Sequence, residues 1–344
     1  SEVFDTEAAA ALGDGFLVWE SNRTGAWRIW TRRLDGSGLR QLTPDEKGRQ
    51  HCCAHISPDG ERVAYLSLRG PGKKYPGPTD TGVLRLIGAD GSGQRELVDA
   101  ARTYHESRAA VWRSDSDLIH LTGDGRTALL DVDSGESEVL VEQPAEDYGW
   151  LIDPTLGHAT LGLPSFSPFD GDRRRVEAKQ TVAGCQAYFS SDGRWGYWAA
   201  GAGGPMHRID LASREVSTLL RKSDPRLPGD RGYAYFPMSS DDGRLFALAA
   251  SRGQHDHFKA DYEVFLFESD PATLDLLGPA VRYTFDGAVD RFPDVWGEPL
   301  ALGDHAGEAP FEVRFDAGPG DWTWDLGDGG EATGATVAYR YETP

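Results

Sequence analysis

Cysteine is scarce in this sequence, and its number is odd. Three are present, at Cys52, Cys53 and Cys185, which is too few for a disulfide framework. At least one thiol is therefore free or bound to another group. Three roles stay open for these residues: burial as small apolar side chains, one disulfide bond, or ligation of a metal ion.

Basic residues are also under-represented. The 35 Lys and Arg residues stand against 55 Asp and Glu, which gives a formal net charge of −20 over 344 residues. Such an acidic surface argues against nucleic acid and anionic membranes as partners, because both require a basic footprint. A polyanionic substrate would have to meet a local basic patch or a metal ion.

Long apolar segments are missing as well. The sequence has no run of 18 apolar residues, so it predicts no membrane-spanning helix. Its first residues, with Glu2 and Asp5 before the short run Ala8–Ala11, lack the basic start and apolar centre of a signal peptide. This agrees with a mature protein whose signal has been removed. A Gly-x-Ser-x-Gly motif is also absent, which argues against a serine hydrolase.

The sequence does contain a repeat. A short strand runs into a Ser-Pro-Asp-Gly turn at Ser57–Gly60, where Pro58 presets φ and Gly60 accepts a positive φ. Related turns return at Ser190–Gly193 and Ser239–Gly243, each again followed by a strand. Units of about 35 to 50 residues with about four strands each are typical of β-propellers.

The two ends of the repeat region complement each other. The first unit, with a strand at Phe16–Glu20, lacks an inner strand, whereas Asp290–Trp296 provides an inner strand with no unit behind it. Pairing of these segments would close a ring. We therefore predict an all-β fold with a six-bladed β-propeller. Seven blades are the alternative, because the fourth unit, at about 148–182, is degenerate.

The repeats also carry a family resemblance. The segments Ile56–Tyr65 and Leu34–Thr43 resemble the repeat of TolB-like β-propellers, and the resemblance implies a propeller domain over residues 1–300. That family includes binding platforms, protease domains and polysaccharide lyases. The resemblance therefore indicates the fold and leaves the activity open.

Residues 310–344 follow a different pattern. The segment Trp324–Gly329 resembles the Trp-Asp-Phe-Gly-Asp-Gly motif of PKD-type (polycystic kidney disease) domains, with Leu326 in place of Phe. The resemblance implies a small immunoglobulin-like β-sandwich after a linker at 301–309. Because the usual final strand is missing, the domain would be partial: either the chain is truncated, or the propeller or a protein partner completes the sheet. PKD-type modules usually accompany extracellular proteins that act on carbohydrates, so an extracellular or periplasmic location is implied.

Candidate catalytic residues come from the segments that lead into the turns. In a propeller these inner strands converge on a central funnel, and here they are rich in His, Tyr and Arg. The alternative is that these side chains only line a water-filled channel and have no catalytic role. The catalytic candidates are His105, Arg108, Tyr188, Arg231 and Tyr233.

Candidate metal ligands come from two short segments. His51, Cys53 and His55 alternate at a period of two, so a regular strand would project all three from one face, where they are costly to bury without a partner. His255 and His257 lie two residues apart in a loop expected to arch over the funnel. Together these five residues predict a site with three or four N/S ligands for a divalent cation, with zinc favoured and manganese, calcium or copper as alternatives.

Two functions follow from these candidates. The first, suggested by a looser resemblance to propeller-fold polysaccharide lyases, is a secreted, metal-assisted lyase that cleaves a uronate-containing polysaccharide by β-elimination. Arg108, Arg231 or the metal would neutralise the carboxylate, and His105 or Tyr188 would act as base or acid. The second is a non-catalytic binding or structural propeller for a protein or a cell-surface glycan, tethered by its PKD-type tail.

Overall fold

A computed structural model describes most of the chain. The described residues are 4–70, 81–102, 110–142, 150–161, 165–172, 174–176, 180–181, 184–201, 203–229, 231–298, 311–316, 323–325, 330–334 and 336–341. They form one short helix, α1 (Thr6–Ala10), which Asp5 caps by accepting a hydrogen bond from the backbone N of Ala8. Among the described residues no helix is long and apolar enough to cross a membrane.

The rest of the regular structure is β-strand. The first eleven strands are β1 (Gly15–Ser21), β2 (Arg28–Arg33), β3 (Arg40–Gln41), β4 (Arg49–Ile56), β5 (Arg62–Arg69), β6 (Thr81–Gly88), β7 (Arg95–Arg102), β8 (Ala110–Trp112), β9 (Asp117–Thr122), β10 (Thr127–Asp131) and β11 (Ser137–Val141). The next nine are β12 (Trp150–Ile152), β13 (His158–Leu161), β14 (Ser165–Asp170), β15 (Arg175–Val176), β16 (Gln180–Thr181), β17 (Cys185–Phe189), β18 (Trp195–Ala199), β19 (Met206–Asp210) and β20 (Val216–Leu220). The last nine are β21 (Tyr233–Ser239), β22 (Leu245–Ser251), β23 (Glu263–Ser269), β24 (Leu276–Arg282), β25 (Asp290–Gly297), β26 (Phe311–Asp316), β27 (Thr323–Asp325), β28 (Glu331–Thr333) and β29 (Thr336–Tyr341).

These strands form consecutive antiparallel sheets. Strands β17 to β20 and β21 to β24 each make a four-stranded sheet in chain order, and β12 to β16 make a five-stranded sheet. Strands β4 to β7 and β8 to β11 belong to one eight-stranded sheet, because β7 also pairs with β9. These sheets follow one another along the chain, as expected for the blades of a propeller.

The predicted ring closure is confirmed. Strand β25 pairs antiparallel with β1, from Gly15 opposite Gly297 to Ser21 opposite Asp290, and the sheet order is β25-β1-β2-β3. The last strand of the repeat region therefore becomes the inner strand of the first sheet. The two ends of the repeat region, which are far apart in sequence, are thereby joined by one hydrogen-bond ladder.

The repeated turns share one set of hydrogen bonds. Ser57 Oγ donates to Asp59 Oδ1 at 2.5 Å and accepts from the backbone N of Arg62 at 3.0 Å. Ser190 with Asp192 and Ser240 with Asp242 repeat the first of these bonds. The turn glycines, Gly60, Gly193 and Gly243, all have positive φ, which explains why the motif needs glycine there. We call the side of the sheets on which these turns lie the turn face.

A bulge that the sequence did not reveal recurs in four inner strands. Its first residue has a positive φ although it is not glycine, and two residues of the inner strand face one residue of the next strand. The four positions are Cys53, Gln186, Phe236 and Phe292. One extra residue reverses which side of the sheet the following side chains face. The prediction that His51, Cys53 and His55 project from one face is therefore wrong.

Aromatic side chains fill the space between neighbouring sheets. Phe166 of β14 contacts Phe189 of β17 and Trp198 of β18, with ring centroids 5.5 Å and 5.7 Å apart. A Cβ added at Gly196 would lie 2.3 Å from the Phe166 ring, so glycine lets these two sheets approach closely. This packing holds the inner strands in place around the centre.

The C-terminal residues form two small sheets in the part that the structure describes. Strand β26 pairs with β29, and β27 pairs with β28, both antiparallel. The Trp324 ring nitrogen donates to the backbone O of Gly334 at 2.7 Å. The predicted linker 301–309 lies outside the described residues.

Candidate functional site at the turn face

Equivalent positions on the inner strands line a cavity near the turn face. His55, Tyr188, Met238 and Asp294 each lie two residues after a bulge, and all four line this cavity. Its volume is about 20 Å³, which is room for roughly one water molecule. The cavity therefore holds no more than a very small ligand.

Three of these side chains form a hydrogen-bonded chain. His55 Nδ1 donates to Asp294 Oδ2 at 2.5 Å, and Tyr188 Oη lies 2.7 Å from His55 Nε2. An ionised carboxylate only accepts, so beside Asp294 the tautomer of a neutral His55 ring has its proton on Nδ1 and accepts from the Tyr188 hydroxyl at Nε2. An imidazole oriented in this way can take up the tyrosine proton.

The backbone holds this chain in place. Asp294 also accepts hydrogen bonds from the backbone N of Ile56 at 2.8 Å and of Val295 at 2.9 Å, and it is 2% exposed. The Trp112 ring nitrogen donates to the backbone O of His55 at 2.9 Å. The side chains of His55 and Asp294 thus join the closing strand β25 to β4.

Asp241 adds a second carboxyl group to the cavity lining. Burial raises its pKa, while a hydrogen bond with Ser191 and the nearby His55 ring oppose that shift. Sequence reasoning missed this residue, although a signal existed. The second position of the turn is Asp241 in one repeat, whereas Pro58 and Ser191 occupy it in two others.

A larger groove lies next to the cavity on the turn face. Its volume is about 650 Å³, and Trp296 lines both the groove and the cavity. The charged residues of the groove have both signs and are all exposed: Asp14, Arg33, Arg40, Asp90 and Glu298. A volume of this size is typical of a ligand site.

The predicted metal ligands are dispersed. His51 is fully buried with its Nε2 3.4 Å from Glu46 Oε2, and burial lowers its pKa to about 4. His55 lies in the hydrogen-bonded chain instead. His255 is exposed and half-buried His257 is its neighbour, with ring centroids 4.7 Å apart, and both rings pack on Tyr235.

Within the described ranges, one group of three potential ligands has all its donor atoms within 4.8 Å of one another. It consists of Glu20, Cys52 and Cys53. Of the five predicted ligands only Cys53 belongs to it. Glu20 was missed, and Cys52 was left out of the predicted ligand set, because the bulge that assembles the group is not visible in the sequence pattern.

One of the two predicted catalytic arginines, Arg231, does not line the cavity. Arg231 is 2% exposed, and its guanidinium contacts the carboxylates of Asp261 and Glu263. Tyr233 is half-buried, and its ring leaves no room for a Cβ at Gly203. His105 and Arg108 lie outside the described residues. Of the catalytic candidates, the structure places only Tyr188 in the cavity lining.

Known sequences show little similarity to this chain. No family model matches the chain. A segment of 102 residues is 28% identical to the uncharacterized protein Atu1656 of Agrobacterium fabrum and covers 30% of this chain. It spans 34%, about a third, of the length of that relative.

Solved structures give a clearer likeness. TolB from Acinetobacter baumannii matches with a TM-score of 0.57 and 13% identity, over 83% of this chain and 67% of that one. A chain of a nidogen/laminin complex matches with a TM-score of 0.52 and 11% identity, over 82% of this chain and 98% of that one. For oligogalacturonate lyase in complex with manganese the TM-score is 0.41 at 12% identity, over 79% and 73%, which is too low to inform on a site. The fold is therefore an all-β, TolB-like propeller, as predicted.

Proposed function

We propose that this protein is a non-catalytic, six-bladed binding propeller that docks a protein partner on its turn face. The observation that carries the proposal is the groove of about 650 Å³, which shares Trp296 with the cavity. Trp296 is half-buried, and Arg33 and Arg40 are exposed; tryptophan and arginine are the residue types that dominate protein interfaces. Leu39, 48% exposed, lies between the groove residues Gly38 and Arg40 and adds an apolar contact.

The charges near the groove and the cavity suit a protein better than a uronate polymer. The groove has both signs of charge, so it can pair with both acidic and basic side chains of a partner. The cavity beside it contains Asp241 and Asp294, which repel a polyanion. Arg231, assigned from the sequence to neutralise a uronate, is engaged by two carboxylates.

The remaining parts of the proposal come from the sequence. The PKD-type resemblance of residues 310–344 supports a tethering role for the C-terminal segment and a periplasmic or extracellular location. A chain of similar fold was solved within a nidogen/laminin complex. That precedent supports a protein as the occupant.

Selection of peptides on the immobilised protein tests the docking face. We expect peptides from a random phage-displayed library to bind the wild type, and the R33A/R40A double variant to weaken them at least about tenfold, because two exposed cationic contacts are lost. The matched control is R69A/R252A, which removes two exposed arginines on the opposite side of the sheets. Peptides that bind R33A/R40A as tightly as wild type, or that lose affinity only with the control, would refute the proposal.

A second function, the uronate lyase, is favoured by one observation. The chain Tyr188, His55 and Asp294 can hold and move a proton as β-elimination requires. His105 and Arg108 remain candidates for the other roles in that reaction.

Ultraviolet absorbance of unsaturated uronides separates the two functions. We expect no increase when the protein is incubated with pectin, ulvan or a glycosaminoglycan, with or without added Zn²⁺ or Mn²⁺. An increase that the Y188F variant abolishes and the Y233F variant retains would replace the binding function with the lyase. Y233F is the appropriate control because Tyr233 is a second candidate tyrosine that does not line the cavity.

A further inference from the structure

The group Glu20, Cys52 and Cys53 lies on strands β1 and β4, away from the turn face groove. Exposed fractions are 0% for Glu20 and 1% for each cysteine. Sγ of Cys53 lies 3.5 Å from Sγ of Cys52, and the backbone N of Cys53 donates to Glu20 Oε1 at 2.6 Å. Two thiols and a carboxylate therefore share one buried space.

The bulge at Cys53 creates this arrangement. In a regular strand adjacent side chains point to opposite faces, so neighbouring cysteines would be separated by the sheet. Cys53 has φ of 58°, and the pairing of β4 with β5 shifts between Cys52 and His55. The local change in direction places both sulfur atoms on the same side.

The distance between the sulfurs suits a shared metal ion. A zinc ion bonded to both at about 2.3 Å with a tetrahedral angle requires sulfurs roughly 3.8 Å apart. A disulfide would require about 2.05 Å. The observed 3.5 Å is close to the first value and far from the second.

Charge in the buried space also permits a divalent cation. Arg291 Nε lies 3.2 Å from Glu20 Oε2, and Arg291 is 1% exposed. One carboxylate, one guanidinium and two neutral thiols sum to zero. Exchange of the two thiol protons for one divalent cation leaves that sum at zero, so metal binding adds no net charge to the interior.

We propose that Glu20, Cys52 and Cys53 bind one thiophilic divalent cation, of which Zn²⁺ is the probe. The metal bonds to both thiolate sulfurs and to one Glu20 oxygen, and the two protons leave to solvent. A three-residue site leaves the fourth position of a tetrahedral zinc to water or another small ligand. The ligand set differs from the histidine-rich set that the sequence pattern suggests.

Zinc titration of the full chain, in competition with a chromogenic chelator, tests the site. We expect one Zn²⁺ per chain, and at least about 100-fold weaker binding in C52S and in C53S, because loss of a ligand costs more than loss of an outer-sphere contact. Two controls should bind within threefold of wild type: C185S, which removes the third cysteine, and H255A/H257A, which removes the histidine pair.

X-ray absorption on the zinc-loaded wild type gives a readout that does not depend on how the variants fold. We expect two sulfur neighbours at about 2.3 Å and the remaining neighbours as oxygen or nitrogen. Less than about 0.2 zinc per chain after loading and desalting, a shell of oxygen and nitrogen only, or binding lost in H255A/H257A and kept in C52S would each overturn the proposal.

Discussion

A chain that ends at Val289 is expected to lose its cooperative thermal transition. Deletion of 290–344 removes β25, the inner strand of the first sheet. It uncovers Leu17, Val18 and Trp19, which are all 0% exposed. At about 2 kcal/mol for each buried side chain, this loss of roughly 6 kcal/mol is comparable to the whole stability of a typical domain.

The deletion also breaks polar links to two sheets. The Trp19 ring nitrogen donates to Asp290 Oδ1, and the Trp296 ring nitrogen donates to the backbone O of Pro58. Without β25, both β1 and β4 lose a strand that packs against them. The edge of β1 is then unpaired and can pair with another chain, which promotes aggregation.

The control is a chain that ends at Glu308, which retains β25 and lacks only the C-terminal segment. We expect its thermal midpoint to stay within about 3 °C of the full chain, since a change of 1 kcal/mol shifts the midpoint of a chain this large by about 2–4 °C. Equal transitions in the two truncations would show that β25 does not hold the ring closed.

Replacement of Arg291 by Met is expected to destabilise the protein by about 3–5 kcal/mol. Removing one partner of a buried ion pair leaves the other charge uncompensated, and Glu20 is 0% exposed. Arg291 also donates to the backbone O of His257 at 2.8 Å, and its guanidinium lies 3.9 Å from the Trp27 ring centroid. Methionine preserves much of the apolar stem, so the loss reports mainly on the charge.

Urea unfolding of a double-mutant cycle separates charge from packing. We expect R291M and E20Q to be costly singly and the double variant E20Q/R291M to recover part of the loss, which gives a coupling energy of the pair. The matched control is R126M, whose ion pair with Glu142 is largely exposed and should cost less than about 1 kcal/mol. A loss in R291M no larger than in R126M would contradict the assignment of a buried pair.

Local sequence features were good predictors of the elements. The Ser-x-Asp-Gly turns at Ser57 and Ser190 are determined by nearby residues, because serine, aspartate and glycine supply their own hydrogen bonds and positive φ. The closing strand was predictable from the count of strands: β25 had no unit behind it and β1 had no inner partner. The number of blades remains a proposal.

The site was less predictable, because pairing partners decide which way side chains point. Tyr188 was identified from its place before a turn, and the structure does bring it to the cavity. His51 and His55 were expected to bind the same metal ion. Because of the bulge between them, His51 contacts Glu46 and His55 contacts Asp294. The sequence position of Arg231 predicted a cation free to bind substrate in the funnel. Its carboxylate partners, however, are Glu263 on strand β23 and Asp261 in the loop before that strand.

By itself, the sequence determined the all-β class, the turn positions and the acidic surface, since each depends on composition or on residues close together. It also determined the pairing of β1 with β25, which follows from the count of strands in each unit. Tertiary structure alone decided which titratable groups meet. Glu20, Cys53 and Arg291 lie on three different strands and form one buried cluster only when β25 closes the ring beside β1 and β4. The positive φ at Cys53 is retained there because its backbone N bonds to Glu20 across that junction, a contact no local pattern encodes.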